Sequence, residues 1–77
     1  MNHTFTLILV GPNPNEPTNL IKLFEAGCSD ALFGERSGLY IANFDREASS
    51  FSEALMSAVR NIENAVSGLK VVRVEIK

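Results

Sequence analysis

The residues through which this chain could do chemistry are few: one histidine, His3, one cysteine, Cys28, and nine carboxylates among 77 residues. Nucleophilic catalysis needs a nucleophile, a base and an orienting group within reach of one another. His3 stands near the N-terminus with nothing nearby in sequence to pair with it, and reads as an exposed terminal side chain. As a metal ligand it would also be alone, whereas a structural zinc site takes about four Cys or His ligands. Cys28 follows Gly27, a helix-stopping position after which the next residue commonly packs back on the helix end. It reads as a small buried hydrophobe, because its nearest charge in sequence, Asp30, has the wrong sign to activate a thiolate.

The carboxylates Glu16, Glu25, Asp30, Glu35, Asp45, Glu47, Glu53, Glu63 and Glu75 form no spaced pair that would face a common pocket, as acid–base catalysis requires. The chain therefore reads as non-enzymatic, with no catalytic residue, cofactor or metal implied. Its seven basic residues are scattered among the acids, and a net charge of −2 gives no clustered surface for neutralising phosphates. Direct nucleic-acid binding is not expected. A single cysteine excludes an internal disulfide framework. No apolar run could span a bilayer, and Thr4 to Val10 is too short for a signal peptide, so the expected setting is soluble and cytoplasmic. The polar segment of most interest is "FDREASS", where a strand hands over to a helix. Local ion pairing explains such a corner structurally. The functional alternative is a partner-binding or dimer surface made by Tyr40, Phe44, Asp45 and Arg46.

The elements that must position these residues are legible in the apolar spacing. Phe5 to Val10 is apolar on both sides of its alternation, as a central strand requires. "GPNPNEP" forces a loop, and a short helix from about Pro17 carries Leu20, Ile21 and Phe24 on one face until Gly27 stops it. A short apolar piece, Ala31 to Gly34, leads into "GERSG", whose Gly38 suits a three-to-five-residue hairpin loop. Leu39 to Asp45 is a second interior strand. Ser50 and Glu53 have the spacing of a capping box, after which Phe51, Ala54, Leu55, Ala58, Val59, Ile62, Ala65 and Val66 make one helical stripe, ended by Gly68. The last strand, Leu69 to Ile76, sets Val72, Val74 and Ile76 against Val71, Arg73 and Glu75.

Strand, helix, strand, strand, helix, strand is the order of a ferredoxin-like α+β fold, here as one domain over residues 1–77. Right-handed crossovers place both helices on one face of a four-stranded antiparallel sheet. The other face stays open, and either set of alternating side chains is apolar enough to need cover. Self-association through that face or an edge strand, as a homodimer or higher homo-oligomer, is the expected solution for so small a domain. Ferredoxin-like domains that bind RNA carry aromatics on the central strands, and Tyr40, Phe44 and Phe5 invite that comparison without matching the motif's positions or its basic flanks.

Two family resemblances add to this reading. "LVGPNPNEPTNLIKLF" resembles the first strand, loop and helix of small-molecule-sensing ACT domains, which implies a ligand-sensing regulatory module with the proline-bearing loop as its pocket wall. The broader one runs from Leu23 to Glu63. This stretch is similar to the N-terminal domain of a group of small bacterial proteins in which an "AGC.DA" turn, an "FDREA" corner and an "EAI.SA"-like helix recur. In that group a helix-turn-helix usually follows, and its members are described as DNA-binding regulators or antitoxin-like proteins. None follows Lys77 here, so the resemblance implies a dimerisation or protein-interaction role in a regulatory context, without that DNA contact.

Overall fold

The computed structural model describes residues 1–76 and contains six elements: β1 (Asn2–Val10), α1 (Pro17–Glu25), β2 (Ala31–Arg36), β3 (Leu39–Glu47), α2 (Phe51–Ala65) and β4 (Lys70–Ile76). The strands form one antiparallel sheet in the order β2-β3-β1-β4, with α1 and α2 packed on one face, so the fold is ferredoxin-like. Phe5, Leu7 and Leu9 of β1 and Ala42 and Phe44 of β3 fill the core with Leu23, Ala54, Ala58 and Ile62 from the helices. Phe5 stacks on Phe44 at 5.4 Å and meets Phe51 of α2 edge-on at 5.6 Å, which ties the first turn of α2 to the sheet centre.

Local chemistry fixes the ends of the elements. Ser50 caps α2 by accepting a hydrogen bond from the Glu53 N–H at 3.1 Å, the first half of the expected box. At the end of α1 the Gly27 N–H donates to Phe24 and the Cys28 N–H to Leu23, the paired bonds of a Schellman motif. Gly27, at φ 110°, supplies the left-handed residue this motif needs, and Cys28 and Leu23 make its apolar contact, both fully buried.

Four details depart from the sequence reading. α1 buries Leu23 and leaves Ile21 and Phe24 about half exposed, because Leu23 is the residue the Schellman motif turns inward. The β2–β3 hairpin turns on only two residues, Ser37 and Gly38, both at positive φ, so β2 runs on to Arg36. α2 ends at Ala65; Val66 is already extended, and Gly68 lies in a turn closed by the Leu69 N–H donating to the Val66 carbonyl. In β4 the register slips between Ile8 and Leu9, which leaves Val72 as an extra residue and brings Val71 as well as Val74 onto the helix side of the sheet.

The helix-free face is less bare than expected. Thr6 donates to the Asn43 side chain across the two central strands at 2.6 Å. Arg36, on one edge strand, reaches Glu75 on the other at 2.8 Å, so the pair lies across the central strands like a strap. Thr6 and Ile8 beneath are only 3% and 2% exposed. The bond from Arg36, seconded by Arg73, holds the Glu75 carboxyl below its ordinary range. A carboxylate whose pKa is lowered on folding contributes stability above the unfolded value of about 4.3, and that contribution is lost as pH falls through the folded value. Urea midpoints measured from neutral pH downward should therefore fall more steeply for the wild type than for Glu75→Gln; parallel curves would refute the strap. The effect should be modest, since both partners are partly exposed.

Candidate functional site

The four residues expected to form a partner surface divide between the two sides of the sheet. Tyr40, Phe44 and Arg46 share the helix face of β3, and Asp45 points to the open side and is exposed. Phe44 is 1% and Arg46 7% exposed, so neither is available to a partner of the folded chain. Tyr40 is half-buried against the core. With Phe5 also on the helix side, none of the three aromatics that suggested an RNA-binding sheet reaches the open face.

Arg46 is a fully committed buried cation. Its Nε and Nη2 donate to the two Asp30 carboxylate oxygens at 2.8 and 3.0 Å. Nη1 donates to Ser57 Oγ at 3.0 Å and Asn61 Oδ1 at 2.9 Å, and Nη2 also donates to the Gly27 carbonyl at 2.8 Å. All five guanidinium N–H groups thus have an acceptor, with Cζ 4.9 Å from the centre of the Phe44 ring. The Asp30 hydrogen bonds raise the Arg46 pKa further, outweighing the opposing effect of burial, so the group stays charged. One side chain joins β3, the α1–β2 turn and α2.

The other chemically capable residues are also occupied in packing. Cys28 is fully buried, and burial pushes its thiol pKa up to about 11, the opposite of what a nucleophile needs. His3 is not a free terminal side chain. It belongs to β1, its ring meets Phe51 edge-on, and Nε2 lies 3.3 Å from the Ala48 carbonyl. Among the described residues no group of three His, Cys, Asp or Glu side chains could hold a metal ion. No buried side-chain nitrogen or oxygen there lacks a partner either, so no orphaned polar group waits for a ligand. The "GPNPNEP" loop bonds to itself and to α1: Asn13 Oδ1 accepts from the Asn15 N–H, and Asn19 Nδ2 donates to the Asn13 carbonyl.

Apolar side chains stay exposed at several places, among them Ile21 and Phe24 on α1, Leu32 on β2, and a group on the β4 side that lies beside a groove. Val72 and Ile76 on that edge strand are 57% and 72% exposed, and Met56 on α2 is 60% exposed. A shallow groove of about 430 Å³ lies between α2 and β4, walled by Leu55, Met56, Val59, Arg60, Glu63 and Val74. A second groove of similar size, lined by Glu47, Ser52, Glu53, Met56 and Arg60, continues it toward the start of α2. Sequence reasoning passed over Met56, although it stands off the apolar stripe of its helix. An apolar residue on the polar side of an amphipathic helix is the signal that could have marked it.

No helix among the described residues is long and apolar enough to cross a membrane. No protein-family model, no curated protein and no solved structure matches the chain.

Proposed function

We propose that the chain is a non-enzymatic self-association module, forming a homodimer or higher homo-oligomer that serves protein interaction in the regulation of a bacterial cytoplasm. The observation that carries this reading is the unpaired β4 edge, on which Val72 and Ile76 stand exposed, with Met56 exposed on α2. Single exposed apolar residues are ordinary on any surface. Here they line a strand edge whose outward backbone groups have no strand to pair with, the usual template for chain-to-chain pairing. Across the opposite face Arg36 and Glu75 pair over the buried Thr6 and Ile8, and the β4 edge is the contact proposed. The resemblance to the bacterial regulator group supports the setting.

Ile76→Asp tests the reading, because that side chain is too exposed for the fold to depend on it. Burying an isoleucine contributes about 1.5–3 kcal/mol, so sedimentation should show self-association weakened by roughly tenfold or more. Association unchanged by this substitution would count against the β4 edge.

A further inference from the structure

The β4 edge also contains a rule for how two copies would meet. We propose that β4 pairs antiparallel with β4 of a second copy about a twofold axis at Val74, joining the two sheets into one of eight strands. This rests on the self-association reading and specifies its partner and register. Directly opposite residues in an antiparallel pair share a sheet face and lie within contact, so like charges there repel and unlike charges attract. Arg73 and Glu75 occupy the open face, opposite Ile8 and Thr6 of β1. Centring the pair on Val74 sets Arg73 of each copy against Glu75 of the other, twice by symmetry. Centring it on Arg73 stacks arginine on arginine, and centring it on Glu75 stacks carboxylate on carboxylate. One register of the three is charge-complementary.

In that register Arg73, which bonds to its own Glu75 at 2.9 Å in the single chain, can exchange to Glu75 of the second copy. Val74 meets Val74, a favourable β-branched cross-strand pair. The bulge at Val72 ends regular pairing on that side, leaving Arg73 to Glu75 as the paired segment. Three residues of strand are too little alone: a stable interface takes roughly 800 Å² from each partner, of the 4420 Å² this chain exposes. The α2 groove beside Val74, with Met56, supplies the rest as the two α2 helices approach across the axis.

Single cysteine variants read the register directly. A disulfide needs Cα atoms about 4.4–6.8 Å apart, which the dyad position satisfies. Residue 72 or 76 lies roughly 13 Å from its own copy, four residues of strand away. Under mild oxidation Val74→Cys should form a covalent dimer at least tenfold faster than Val72→Cys or Ile76→Cys, with Cys28 buried in all three. Arg73→Glu, at a side chain that is 63% exposed, should raise the dimer dissociation constant tenfold or more by facing two carboxylates. Equal cross-linking at the three positions, or a dimer by light scattering that Arg73→Glu leaves intact, would overturn the register and spare the self-association reading. A wild-type mass that stays monomeric would overturn both.

Discussion

Arg46→Ala is expected to lower the stability of the fold by about 3 kcal/mol, a quarter or more of its margin. The substitution removes all five donors at once and strands the Asp30 carboxylate, the Gly27 carbonyl, Ser57 and Asn61, which were arranged around the guanidinium. Breaking a buried ion pair by deleting one partner costs about 3–5 kcal/mol. Asp30 keeps 29% of its side chain in contact with water, which places the expected cost toward the lower end of that range. A 77-residue domain has a margin of only about 4–12 kcal/mol at typical per-residue stabilities, so even that is a large share. Arg46→Lys should recover little. A lysine keeps the charge but cannot present a planar fork to Asp30 while also reaching α2. Urea unfolding followed by circular dichroism measures both variants, and an Arg46→Ala midpoint matching wild type would refute the hub.

Gly11→Ala should be the second most damaging change, by about 2–4 kcal/mol. Gly11 has φ 118°, and a Cβ there would fall 2.3 Å from the Gly68 carbonyl oxygen and 3.2 Å from Leu69 Cα. The obstructing atoms are backbone, so no rotamer change relieves them. The clash would separate the end of β1 from the turn that feeds β4, and it would disturb the edge assigned to self-association. Gly34→Ala is the control: its φ is ordinary and its Cβ would meet only Ile41 side-chain carbons at 3.6 Å or more. That change should be neutral or stabilise by about 0.4–1 kcal/mol through the unfolded chain. Equal losses at the two glycines would show that the close approach between Gly11 and Gly68 is not tight.

The order of elements was readable from apolar spacing because each long element repeats its pattern often enough to fix a face. α1 does not. Leu20 with Leu23 and Ile21 with Phe24 are both i,i+3 pairs, and two and a half turns cannot choose between them; the Schellman contact of Leu23 with Cys28 does. The β4 bulge was invisible for a similar reason, since a period of two carries no information about an inserted residue. Arg46 was read as a corner charge because its acceptors lie 11 to 19 residues away, on elements that only the fold brings near. One sequence signal did exist. Arg46 has the same strand parity as Tyr40, Ala42 and Phe44, and alternation places it on the core face. A charge at a core-facing position needs a full set of partners, which makes it a structural hub before it is a surface.

Self-association along the β4 edge is the proposal on which the functional reading rests. Multi-angle light scattering of the wild-type chain, from micromolar to millimolar concentration, addresses it most directly. The predicted result is a mass that rises with concentration from the chain value of 8.4 kDa toward at least twice that value. A mass that stays at the chain value throughout would contradict it.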